Sequence, residues 1–123
     1  MAREPDIAVK RAYLPAAEED GTRILVDRLW PRGLAREKLA AVWLKDVAPS
    51  TELRKWLHAD PSRWDAFAAR YREELDANPD AVEELRAHVK SGRVTLLYGV
   101  RDDAHNHAAV LRDYLMSKRG GKR

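Results

Sequence analysis

Two short, largely apolar runs constrain the fold of this chain more than any other feature. Ile24-Leu25-Val26, within Thr22 to Asp27, and Arg93 to Tyr98 (Arg-Val-Thr-Leu-Leu-Tyr) are each bounded by turn chemistry and are too short for helices. A strand without polar alternation needs cover on both faces, which is the condition of a parallel sheet wrapped by helices. Two further strands are expected, Ile7 to Tyr13, ended by Leu14-Pro15, and Ala41 to Val47, closed by Ala48-Pro49. Leu34 to Leu39 has room for one helical turn between the second and third strands.

Helix starts are legible between the third and fourth strands. Ser50 caps a helix from Thr51 to about His58, its hydroxyl accepting from a free first-turn amide. Asp60-Pro61 opens the next, on which Trp64, Phe67, Tyr71 and Leu75 form one apolar stripe. Asn78-Pro79 opens a third, carrying Val82, Leu85 and Val89 and stopped by Gly92. After the fourth strand, Asp102 or Asp103 caps a last helix from about Ala104 to Met116. The expected architecture is α/β: a compact single domain with a mainly parallel four-stranded sheet and helices on both faces. The short link from Tyr13 to Gly21, in place of a full crossover helix, leaves the direction of the first strand open.

Composition bounds the function. The 123 residues contain no cysteine, which removes disulfides, thiolate nucleophiles and Cys-ligated metals. No apolar run approaches the roughly 20 residues of a membrane span, and Met1 to Asp6 carries no secretory segment, so a cytoplasmic protein is expected. The net charge of +3 is a property of one end, because Lys118 to Arg123 holds four of the 23 basic residues and no acid. The remainder, residues 1–117, carries 19 basic against 20 acidic residues. Residues 1–117 therefore read as the domain and residues 118–123 as a basic, disordered tail.

In open α/β sheets ligands bind beyond the carboxyl ends of the strands. Asp27, Arg28, Trp30 and Arg32 follow the second strand; Lys45, Asp46 and Ser50 follow the third; Tyr98, Arg101, Asp102, His105, Asn106 and His107 follow the fourth. Guanidinium forks at Arg28 and Arg32 suit carboxylate or phosphate. Lys45 would add charge, the Ser50 helix start would add amides, and Tyr98 and Asn106 would orient a ligand. His107 or His105 is the acid/base candidate if a reaction occurs. His58, His88 and the aromatic stripe read more simply as helix-end charges and core. No zinc spacing is present, nor are Gly-x-Gly-x-x-Gly, a Walker loop or Gly-x-Ser-x-Gly, so no metal or cofactor is expected.

Three blocks carry a resemblance. Val26-Asp27-Arg28-Leu29-Trp30-Pro31-Arg32-Gly33, Trp43 through Trp56, and Leu97-Tyr98 with His105-Asn106-His107-Ala108 closely resemble the YeaO-like family of bacterial proteins, a domain-of-unknown-function family. The resemblance implies a compact cytoplasmic α/β domain from about Ile7 to Leu115 and supplies no reaction. A broader group that this branch resembles has an Asp-Val-Arg strand end and a Cys-His-Arg helix start. Asp27-Arg28 and Asn106-His107 stand in those places here, without the cysteine.

The leading expectation is a site for a small anionic ligand bearing phosphate or carboxylate. Two alternatives stand beside it: a non-catalytic nucleic-acid-binding or accessory protein using the tail with Arg28 and Arg32, and a metal-dependent enzyme centred on His105 and His107. Oligomeric state is not written in the sequence. Counterion release makes phosphate contacts salt-dependent. If the tail binds nucleic acid, electrophoretic shifts at low salt fade as salt rises and vanish on deletion of Lys118 to Arg123; no shift even at low salt removes that alternative.

Overall fold

A computed structural model describes residues 5–102 and 105–118. Its sheet is formed by β1 (Ile7–Arg11), β2 (Thr22–Leu25), β3 (Val42–Trp43) and β4 (Val94–Tyr98) in the order β1-β4-β2-β3. Every pairing is parallel, with Ile7 opposite Val94, Thr22 opposite Val94 and Ile24 opposite Val42. The helices are α1 (Arg36–Leu39), α2 (Thr51–Ala59), α3 (Trp64–Asp76), α4 (Pro79–Ser91) and α5 (His107–Lys118). None of the described helices is long and apolar enough to cross a membrane.

The two apolar runs occupy the sheet centre. Every residue of β4 is buried, as are Arg23, Ile24 and Leu25 of β2, because each strand has a ladder partner on both sides. Strand alternation divides the interior. Ile24, Val26, Leu96 and Tyr98 belong to the core built with Phe67, Tyr71, Leu85 and Leu111 of α3, α4 and α5. Leu25 and Leu97 belong to the opposite face with Ala12 and Leu39. Helices thus lie on both faces but unequally. The second face is closed by α1 and by Trp30 and Trp43, whose rings meet edge to face at 5.4 Å.

Local chemistry sets the helix boundaries. The Ser50 hydroxyl accepts from Leu53 N–H at 3.1 Å, and the Asp60 carboxylate accepts from Ser62 N–H at 3.1 Å, opening a 3₁₀ turn that runs into α3. Helix α5 starts later than the sequence suggests. Asn106, rather than Asp102, caps it by accepting from Ala109 N–H at 2.8 Å. Asp102 instead accepts from His105 N–H at 2.9 Å. Asp103 and Ala104 lie outside the described residues, as do residues 119–123 of the expected tail; Lys118 itself closes α5.

The third strand is far shorter than Ala41 to Val47. Its only neighbour is β2, whose ladder ends at Leu25; after Leu44 N–H donates to the Leu25 carbonyl at 3.0 Å no partner remains. The chain then folds into a 3₁₀ turn at Lys45–Val47. The first strand is parallel to the others, and residues 12–21 carry the chain back past β4 to β2.

That short return is fixed by a buried ionic cluster. The Asp20 carboxylate takes Lys10 Nζ at 3.1 Å, the Arg23 guanidinium, and Ala17 N–H at 3.0 Å. Arg23 Nε donates to the Leu39 carbonyl at 2.9 Å, and Thr95 Oγ1 donates to the Asp20 carbonyl at 2.7 Å. Burial by itself would raise the Asp20 carboxyl; the hydrogen bonds from Ala17, Lys10 and Arg23 outweigh it and hold the group below its ordinary value. Gly21 completes the turn at φ 65°, where a Cβ would run into the Arg93 carbonyl oxygen.

Removing one partner of a buried pair leaves the other uncompensated, typically at 3–5 kcal/mol. Asp20→Asn is expected to lose stability of about that size at pH 7 in urea denaturation. Because the folded carboxyl is depressed, its contribution is complete above its unfolded value of about 4 and fades as pH falls through the lower folded value. Wild type and variant should therefore converge in strong acid; a constant gap down to pH 2 would contradict this assignment.

Candidate functional site

A single carboxylate joins the ends of the two central strands to the last helix. Asp27 follows β2, Gly99 follows β4 and His107 opens α5. Asp27 Oδ2 accepts from Gly99 N–H at 2.9 Å, while Asp27 Oδ1 lies 3.0 Å from His107 Nε2. The same Nε2 is 3.0 Å from the Val26 carbonyl oxygen. The Val26 carbonyl is an acceptor, so Nε2 carries the proton and donates it there, while Asp27 Oδ1 lies beside it, buried and without a hydrogen bond among the described residues. Gly99 is required by close approach, since a Cβ there would sit 2.9 Å from Asp27 Oδ2. Tyr71 packs edge-on against the His107 ring at 6.3 Å and donates its hydroxyl to the Val47 carbonyl. Burial, reinforced by the Glu74 and Asp27 carboxylates and opposed by Arg28, holds the Tyr71 phenol well above its ordinary range, so it stays a neutral donor.

Around this knot opens a cleft of about 510 Å³ at the carboxyl edge of the sheet. It takes Asp27, Arg28, Trp30 and Arg32 from the loop after β2, and His105, Asn106 and His107 from the segment before and at the start of α5. Of the thirteen strand-end residues expected from the sequence, nine line this cleft, Arg101 and Asp102 from the loop after β4 among them.

Lys45, Ser50 and Tyr98 do not line the cleft. Lys45 is exposed on the 3₁₀ turn with its ammonium 5.4 Å from the Trp43 ring centre, a position fixed by the early end of β3. The amide and hydroxyl of Ser50 both donate to the Glu74 carboxylate, at 2.8 and 2.6 Å. An internal anion therefore already sits at the α2 N-terminus. Tyr98 is buried on the core side of β4.

Those that do line it divide by task. Arg28 is tied to the main chain, donating to the Pro49 and Ala48 carbonyls at 3.3 and 3.1 Å, and so fastens the β2 loop to the start of α2. Trp30 donates to the Leu34 carbonyl at 2.6 Å. Asn106 spends its carbonyl on the α5 cap and its amide on Asp102 O at 3.2 Å. Arg32 is exposed, and among the described residues its guanidinium has no protein partner. The two histidines diverge: His107 turns in to Asp27, whereas His105 stacks on Trp64 at 4.9 Å with Nδ1 3.9 Å from Asp102. Among the described residues no three His, Cys, Asp or Glu side chains gather as a metal-holding group.

Arg54, absent from the candidates expected from the sequence, and His58, read there mainly as a helix-end charge, both line the cleft. The available signal was the spacing Ser50, Arg54, His58, which places all three along one face of α2. Trp64, read as core, is only partly buried and shows an edge to the cleft. The guanidinium groups of Arg54 and Arg101, like that of Arg32, have no protein partner among the described residues, and all three line the cleft.

Fold and site together define a small parallel α/β domain with a cationic, partly aromatic cleft at its strand ends. Comparison with known proteins then places the chain. Residues 6–121 match the family described as "Inactive DUF488-N3 subclade", and the chain belongs to it. It is similar to uncharacterized protein Rv3073c of Mycobacterium tuberculosis H37Rv, 45% identical over 116 residues covering 94% of this chain and 98% of that protein. It is also similar to uncharacterized protein YeaO of Escherichia coli K12, 43% identical over 113 residues covering 91% of this chain and 98% of that protein. The family-level resemblance seen in the sequence is thereby shown. No solved structure matches.

An amide in place of the Asp27 carboxylate offers one acceptor oxygen to two N–H donors, so one donor is left facing an N–H in either flip. Asp27→Asn is expected to lose about 1–3 kcal/mol in chemical denaturation. Hydrogen exchange at the Gly99 amide should be faster in the variant. A stability change under about 0.5 kcal/mol with unchanged Gly99 exchange would remove Asp27 from this role.

Proposed function

We propose that this domain binds a small organic anion in the cleft at the ends of its strands and does so as a binding protein. The supporting observation is the set of three cleft arginines, Arg32, Arg54 and Arg101, whose guanidinium groups have no protein partner among the described residues. Structural arginines are normally spent on carboxylates or carbonyls, as Arg23 and Arg28 are here. A guanidinium left open in a concave site is suited to a carboxylate or phosphate from outside. Apolar surface from Trp30, Pro31, Leu57 and Trp64 offers room for the ligand's body.

Binding without turnover fits the family's description as inactive, and it fits the chemistry. The position where the resembled broader group has a cysteine is Asn106 here, whose side-chain carbonyl caps α5 and whose amide N–H donates to Asp102 O. A second reading has one observation behind it. Since His107 Nε2 is committed to the Val26 carbonyl beside Asp27, Nδ1 is the ring nitrogen left for acid/base exchange with a ligand.

The test is a thermal-shift titration with inorganic phosphate, citrate and ribose 5-phosphate. Stabilisation is expected in wild type and should be at least halved in Arg32→Ala and Arg101→Ala, both exposed positions that leave the core untouched. Equal shifts in all three proteins, or none in wild type at millimolar ligand, overturn the reading.

A further inference from the structure

We infer that the ligand of this cleft is a nucleoside monophosphate, either free or as the phosphorylated end of an oligonucleotide. This inference rests on the anion-binding reading above and specifies its ligand. Charge sets the number of phosphates. The cleft is lined by four arginines, Arg28, Arg32, Arg54 and Arg101, against two carboxylates, Asp27 and Asp102, an excess of two positive charges before any histidine is protonated. A phosphate monoester carries roughly 1.5–2 negative charges at neutral pH, so one phosphoryl group matches the cleft and three would exceed it.

Aromatic geometry sets the other half of the ligand. Phe67, Trp64 and His105 form a column of near-parallel rings, Phe67 on Trp64 at 5.2 Å and 27°, Trp64 on His105 at 4.9 Å and 29°. Phe67 is buried and anchors the column, while the His105 side chain at its outer end is 61% exposed. All three rings line the cleft, so a planar group can continue the stack from within it. Base-on-aromatic stacking contributes to binding without regard to base identity. Arg32 comes from the loop after β2 and Arg54 from α2, while Arg101 lies in the segment after β4 that also carries His105. The space of about 510 Å³ falls in the size class of small-molecule sites.

The experiment is isothermal titration calorimetry on the full chain with AMP, adenosine, ribose 5-phosphate, ATP, pyridoxal 5′-phosphate and 5′-phosphorylated triadenylate. AMP is expected to bind at least tenfold tighter than adenosine or ribose 5-phosphate, and ATP no tighter than AMP. Arg101→Ala should bring AMP down to the affinity of adenosine and leave adenosine unchanged; His105→Ala, an exposed substitution, should weaken AMP and adenosine alike while sparing ribose 5-phosphate. Triadenylate at or above the affinity of AMP supports the oligonucleotide end as the source, and weaker binding supports the free nucleotide. If ribose 5-phosphate or pyridoxal 5′-phosphate binds as tightly as AMP, or ATP binds tenfold tighter, the nucleoside monophosphate is overturned and the anion site stands. If none of the phosphorylated compounds binds, both fail.

Discussion

The Asp27 carboxylate is the joint on which the carboxyl edge of this molecule depends. With one oxygen on the Gly99 amide and the other beside the imidazole of His107, it links the exits of both central strands to the start of α5. Each exit loop then carries cleft residues onward, Arg28 to Arg32 on one side and Arg101 to His107 on the other. The absence of a side chain at Gly99 is what lets the carboxylate come this close. A charged acceptor ties the Gly99 N–H more strongly than a neutral one would, and here the carboxylate is largely shielded, where water competes less.

At the amino edge of the same sheet a second carboxylate does comparable work for the fold. Asp20 gathers Lys10 and Arg23, and its backbone carbonyl receives Thr95, so β1, β2 and β4 are all secured at the point where the chain returns without a crossover helix. The pairing is parallel because the ten residues after β1 suffice to bring the chain back to the starting edge. One ionic cluster thus holds the topology and the other holds the site, on opposite ends of strands only five residues long at most.

The candidate site gathers two kinds of arginine. Arg28 is consumed by loop carbonyls and shapes the cleft wall; Arg32, Arg54 and Arg101 are left open. Likewise the anion position expected at the α2 N-terminus is already held by Glu74, so the open cations of the cleft are its arginines. The family to which the chain belongs is described as inactive, and Asn106 spends its side-chain carbonyl on capping α5.

Much of this was written locally. The apolar runs at Ile24 and Val94, the caps at Ser50 and Asp60 and the stop at Gly92 act over a few residues, so a linear pattern records them. The clustering of Asp27, Arg28, Arg32 and His107 was also legible, because strand ends of a parallel sheet must share an edge. Partners distant in sequence were not. Glu74 takes the amide of Ser50, 24 residues away, and β3 stops where β2 no longer faces it. Sequence by itself determined which segments become strands and helices and which loops meet at the sheet's carboxyl edge. Only the tertiary structure decided which cations there remain free, because a guanidinium is spent or left open by what packs against it, and that is a property of three dimensions.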